Sequence, residues 1–266
     1  MIVFDERGGT IPLHPRRTTY QMKADQRGVL LHLYYGPQVE AEDLSYLLRY
    51  ADRGFSPNPS GSGADRGYSL DTLPQEWSTC GVGDYRLASA EVEQPDGSVL
   101  LDLRYASHSI RPGKYALEGL PAFFGDEGWE TLSVVLRDPS SGMEAELLYG
   151  VCEEEDLITR AVRVTNRGEA PVVLCRVMSL CLDFGRSDLD LLTFDGGHVR
   201  ERTLSRAPLR PGVQSVGSVR GTSSHQHNPF VVLCERDANE DHGLCFGAAL
   251  LYSGGLWYPI QMGMFL

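Results

Sequence analysis

From Val99 onward the chain is written in short apolar runs at a period of two, separated by turn-forming residues. Leu132, Val134 and Leu136 alternate with Ser133 and Arg137, and Ile158, Val162 and Val164 alternate with Thr159, Arg163 and Thr165. That period puts every second side chain on the same face, so each run reads as a strand with one buried face. Asn166-Arg167-Gly168 supplies a turn, and Pro171-Val172-Val173-Leu174 begins the next strand. Further strands are predicted over Met143–Cys152, Val177–Phe184, Phe230–Cys234 and Leu244–Tyr252, and residues 1–7 read as a strand followed by a turn. Strand, turn, strand at this spacing predicts packed antiparallel sheets and not βαβ units.

One helix of note is predicted. Leu44, Leu47, Leu48 and Ala51 fall at i, i+3, i+4 and i+7, with Glu42 and Asp43 in the first turn and an end near Gly54. The Pro, Gly and Ser residues of 56–63 then require an exposed loop. No repeat and no boundary divides the chain, so residues 1–254 read as one large sandwich. Residues 255–266 are apolar and read as an atypical tail: a chain that once continued, a segment covered by a partner, or an altered reading frame. With 266 residues, 42% of them hydrophobic, the core needs no metal or disulfide.

Charge narrows the partners. Thirty-six acidic and 24 basic side chains give a net charge of -12, which repels nucleic-acid phosphates and anionic lipid but leaves neutral ligands such as sugars open. No apolar stretch is long enough to cross a bilayer. No charged-then-apolar segment with a cleavage site opens the chain, so a cytoplasmic location is expected. The six cysteines lack Cys-x-x-Cys spacing and read as buried free thiols. No phosphate loop, serine-nucleophile or zinc-protease motif is present, and no cofactor is expected.

Several polar strings are more specific than sandwich filler. They are Leu70-Asp71-Thr72-Leu73-Pro74-Gln75-Glu76-Trp77, Asp102-Leu103-Arg104-Tyr105 with Ser107-His108, Leu117-Glu118-Gly119-Leu120-Pro121-Ala122, Leu182-Asp183-Phe184 with Ser187-Asp188, and Arg200-Glu201-Arg202. The longest runs from Arg220 to Phe230 through His225-Gln226-His227-Asn228, followed by Glu240-Asp241-His242-Gly243 and Leu251-Tyr252-Ser253-Gly254. In this order, to about Gly254, they resemble the amino-terminal region of the α-galactosidases of glycoside hydrolase family thirty-six. The resemblance implies an all-β fold, a large antiparallel β-supersandwich of the galactose-mutarotase type with one or two short helices. It also implies a following (β/α)8 barrel that carries two aspartates for retaining hydrolysis of terminal α-linked galactose, as in melibiose or raffinose. Retaining chemistry needs two carboxyl groups about 5 Å apart. By the resemblance that barrel lies outside these residues, so this chain is expected to hold no catalytic residue and to supply scaffold, oligomer contacts (a tetramer in relatives) and part of the sugar pocket. The alternative is a stand-alone carbohydrate-binding or assembly module without chemistry.

The candidate sugar contacts follow. Asp52, Arg53, Asp65 and Arg66 flank the 56–63 loop, and carboxylates and guanidinium groups suit sugar hydroxyls because one accepts and the other donates. By resemblance Asp52 and Arg66 contact substrate in a neighbouring subunit's pocket; on the residues alone, a solvated charged loop competes. Trp77 is either a stacking platform for a pyranose or a core tryptophan. His198 stands where family members often carry a tryptophan, so any stacking role there is weakened. His225 and His227 can be written as metal ligands, but without a third ligand they read better as part of a hydrogen-bonded loop bracing the sandwich against the barrel. Arg200, Glu201 and Arg202 form either docking ion pairs or a charged strand edge, and residues 153–156 read as a solvated acidic turn.

Overall fold

The computed structural model describes residues 1–40, 43–52, 59, 61–63, 65–123, 127–252 and 254–262. The chain divides into two compact units, one formed by Met1–Ala116 with Phe124–Asp183 and the other by Leu117–Phe123 with Phe184–Leu266. No helix among the described residues is long and apolar enough to cross a membrane.

The first unit holds three antiparallel sheets. Strands β1 (Thr10–Leu13), β2 (Thr18–Ala24) and β3 (Leu30–Pro37) form a meander. Strand β4 (Ala90–Glu93) pairs with β9 (Val173–Val177). The largest sheet runs β5 (Arg104–Pro112), β6 (Trp129–Arg137), β7 (Met143–Cys152) and β8 (Leu157–Asn166) in sequence order. Its alternation is the one the sequence displays. Leu132, Val134 and Leu136 of β6 bury their side chains beside Met143, Ala145, Leu147, Tyr149 and Val151 of β7, in a cluster shared with Ile11, Met22 and Trp77. Each such aliphatic side chain removed from water is worth about 1.5–3 kcal/mol. The Asn166-Arg167-Gly168 turn closes on the Asn166 side chain, whose Oδ1 accepts from the Gly168 N–H at 2.8 Å. Gly150 cannot carry a side chain, since a Cβ there would sit 2.5 Å from the Thr159 hydroxyl.

Three expectations are corrected in this unit. The helix over Leu44–Ala51 is a single 3-10 turn, Leu44–Leu47, capped by the Asp43 carboxylate accepting from Ser45 N–H. Leu48 is already extended (ψ 129), and Leu47 is exposed, so the apolar spacing does not mark a buried helical stripe. Residues 1–7 make only isolated bridges, Ile2 to Leu13 and Asp5 to Thr10. The strand predicted over Val177–Phe184 ends where it was to begin. Past Val177 the backbone serves side chains and not a ladder: the Met178 carbonyl accepts from the Trp77 indole and the Cys181 carbonyl from Arg160.

The second unit contains β10 (Leu189–Gly197), β11 (Arg200–Pro208), β12 (Gly212–Ser218), β13 (His227–Glu235), β14 (Cys245–Ala249) and β15 (Leu256–Met262). Four form a sheet in the order β11-β10-β13-β14, and β12 pairs with β15 along its whole length, Gly212 opposite Met262 and Ser218 opposite Leu256. The described part of the apolar tail is therefore strand β15. All six cysteines are free, but Cys175 and Cys245 are exposed, so burial holds for Cys152 and Cys234 and only partly for Cys80 and Cys181.

Candidate functional site

Asp52 and Arg66, placed 14 positions apart in sequence, are brought together: Arg66 Nη2 lies 3.1 Å from Asp52 Oδ1, with both side chains largely in solvent. Arg53, Gly54 and residues 56–58 and 60 of the 56–63 loop lie outside the described residues. The residues flanking Arg66 are tied down. The Arg27 guanidinium lies 4.1 Å from the Tyr68 ring centroid and 3.7 Å from Asp65, while Tyr68 donates to Asp25 at 2.6 Å. Burial, reinforced by that bond to a carboxylate, pushes the Tyr68 hydroxyl well above the usual phenol range. Asp65 also accepts from Gly67 N–H, fixing the turn that presents Arg66. The result is an exposed acceptor–donor pair on a braced footing. It can hydrogen-bond vicinal hydroxyls, and its own worth to stability is at most about 1 kcal/mol.

Trp77 is elsewhere in the same unit and buried, at 5% exposure. It belongs to the core cluster, and its indole Nε1 donates to the Met178 carbonyl at 2.8 Å. At that burial the ring is not open to a sugar, so the platform reading gives way to the core reading.

The residue before it sits at the centre of a buried polar network. Glu76, fully buried, accepts from Tyr20 at 2.7 Å, Tyr149 at 2.6 Å and His32 Nδ1 at 2.9 Å, and Arg160 lies 3.4 Å away. Burial alone would raise the Glu76 pKa. Arg160, His32 and Tyr149 outweigh it and hold the carboxylate below its ordinary value. The same burial drives Tyr20 and Tyr149 far above the phenol range. A second network joins Asp84 and Asp183, each 2.9 Å from the Arg86 guanidinium, with Gln75 donating to both. Both acids are committed to the one Arg86 guanidinium, and the Asp84 side chain is all but out of water. Sequence reasoning missed both networks as units, although Gln75, Glu76 and Asp183 stand inside the polar strings it singled out.

In the second unit, His198 is exposed at the tip of the β10–β11 hairpin. The next residue, Val199, has φ 64, a left-handed conformation costly for a β-branched side chain. His225 and His227 part company: His225 is exposed, whereas His227 Nδ1 bonds Asp195 Oδ1 at 3.0 Å across the paired strands. Burial pushes the Asp195 pKa up, but His227, Thr193 and Ser205 together bring it below the ordinary value. No group of three or more His, Cys, Asp or Glu is arranged to hold a metal among the described residues.

The Glycosyl hydrolase family 36 N-terminal domain matches residues 28–261. The chain belongs to this family. A relative, the bifunctional alpha-galactosidase/sucrose kinase AgaSK of Mediterraneibacter gnavus, is 46% identical over 254 residues, covering 95% of this chain and 27% of its own length. The solved galactosidase domain of AgaSK superposes with a TM-score of 0.96 at 44% identity, over 100% of this chain and 37% of that one. A variant of the alpha-galactosidase AgaA from Geobacillus stearothermophilus, solved in complex with raffinose, superposes with a TM-score of 0.92 at 38% identity, covering 96% of this chain and 36% of that one. This family-36 domain thus spans about a third of the length of the proteins it matches, and the catalytic barrel is not within it. Its all-β architecture, in several antiparallel sheets, is that of the family's amino-terminal β-sandwich domain.

Proposed function

We propose that this chain is the amino-terminal platform of a retaining α-galactosidase acting on raffinose-type α-galactosides. The observation that carries the reading is the superposition on the galactosidase domain of AgaSK over the full chain but 37% of that domain. The division of labour follows from chemistry. Retaining hydrolysis needs two carboxyl groups about 5 Å apart on either side of the scissile bond. The buried acids described above are each committed to an arginine, and the solvent-exposed Asp52 faces Arg66. The barrel of the longer enzyme supplies the reacting pair, and this domain supplies binding. Asp52 and Arg66 contact sugar hydroxyls, His198 offers a polar rim at its hairpin tip, and Trp77 acts at a distance by fixing the core.

Exposed apolar side chains on the second unit, among them Leu204, Val213 and Trp257, are the surface that packs on the rest of the enzyme or on a neighbouring subunit of a homo-oligomer. Six free thiols fit a reducing, cytoplasmic setting. The test is hydrolysis of an aryl α-galactoside. The chain alone gives no turnover, and the barrel-bearing enzyme gives turnover whose KM rises in Asp52→Asn and Arg66→Ala. Turnover by the chain alone overturns the assignment. Calorimetric titration with raffinose separates this reading from a stand-alone binding module, which binds tightly without any barrel.

A further inference from the structure

Across β13 and β14, Cys234 stands directly opposite Cys245. The ladder fixes what kind of pair this is. Glu235 N–H donates to the Leu244 carbonyl on one side, and further along Leu250 N–H donates to the Pro229 carbonyl. In an antiparallel ladder hydrogen-bonded and non-hydrogen-bonded pairs alternate, so both bonds place Cys234 and Cys245 at a non-hydrogen-bonded position, where Cα atoms approach to about 4.5 Å and side chains are closest. That separation is at the short end of the range a disulfide spans, about 4.4–6.8 Å.

Their surroundings differ in a useful way. Cys245 is on the edge strand and exposed, whereas Cys234 is 1% exposed. Arg206 is anchored nearby, to Asp190 at 2.7 Å and to the carbonyls of Glu235, Arg236 and Ala238. Burial outweighs the Arg206 guanidinium at Cys234 and pushes its thiol above the ordinary value, so the exposed Cys245 is the thiol placed to react first.

We infer that Cys234 and Cys245 form a redox-active dithiol that takes a low-molecular-weight disulfide as its oxidant and closes to a disulfide bond across β13 and β14. The exposed Cys245 thiolate attacks one sulfur of the oxidant, making a mixed disulfide and releasing one thiolate. The Cys234 thiolate then attacks the Cys245 sulfur and displaces the second. Two protein thiols lose two electrons and two protons, and the external disulfide gains both to become two thiols. A bond on an exposed edge strand at this short spacing is readily reduced again, so the clip is reversible.

The experiment uses glutathione disulfide on the native chain, alkylation of remaining thiols, and a tryptic map. Trypsin cuts after Arg220 and Arg236, so Cys234 falls in residues 221–236 and Cys245 in residues 237–266. The two peptides are expected to travel joined and to separate on reduction with dithiothreitol. Cys175, exposed with no cysteine across from it, is expected to carry glutathione instead. In Cys234→Ser the glutathione on Cys245 persists, because nothing displaces it. In Cys245→Ser, a change at an exposed position, Cys234 stays reduced. Alkylation of both thiols after oxidant, or a lasting glutathione adduct on Cys245 in the unsubstituted chain, overturns the inference.

Discussion

The two units are built to different standards. Both clusters of buried hydrophobic residues lie in the first, and its central ion pair, Glu76 with Arg160, is almost wholly out of water at 0% and 8% side-chain exposure. In the second, all nine residues of β11 are exposed, and the Arg186–Asp188 pair stands in solvent. The same strand grammar therefore yields a unit built on large buried clusters and a unit with few buried side chains, Leu189, Leu191 and Val231 among them.

The sharpest way to break that contrast is Glu76→Ala. It strands the Arg160 charge and three polar groups in the core, and is expected to cost about 3–5 kcal/mol in urea unfolding. A core truncation comes next. Leu132→Ala, at a fully buried position, is expected to cost about 2–5 kcal/mol, whereas Leu204→Ala on β11 stays within about 0.5 kcal/mol in the isolated chain. Equal losses at the two positions would erase the distinction between the units.

Acid titrates the same contrast more gently. Glu76 binds its proton less tightly folded than unfolded, so the unfolded state takes up more protons as pH falls. Its contribution is complete above the ordinary glutamate range, about pH 4.3, and is lost as pH drops through the lower folded value. Urea midpoints taken from neutral pH downward should fall in that window, with a shallower slope in Glu76→Gln. The smallest effect belongs to Asp52→Asn, which removes an exposed ion pair and should shift stability by less than about 1 kcal/mol while raising the KM of the complete enzyme.

Strands were readable wherever one face is buried, because burial writes alternation into the sequence: β7 runs over Met143–Cys152 as predicted. Elements held by side chains were not. Apolar spacing at Leu44, Leu47 and Leu48 imitates a helix although only Leu44 is fully buried, and Met178 to Asp183 imitates a strand although its groups bind Trp77, Arg160 and Arg86. The polar strings that carry the family resemblance were conspicuous for a reason visible only in three dimensions. Gln75, Glu76, Asp102, Arg104 and Asp183 are partners in buried or half-buried ion networks, where a substitution leaves a charge stranded. Asp52 and Arg66 carry no such mark, since a solvated pair and a ligand-binding pair are spelled alike.

Glu76 also sets a timetable for synthesis. Its partners are drawn from Tyr20, His32, Tyr149 and Arg160, the outermost of them 140 positions apart. A nascent chain that has emerged only through β6 holds the carboxylate and two of its donors but neither Tyr149 nor the neutralising arginine, so closure must wait for β7 and β8. Such distant contacts make assembly slow. A ribosome pausing before Arg160 would hold an unfinished core in water, in the very stretch where a chaperone has most to protect.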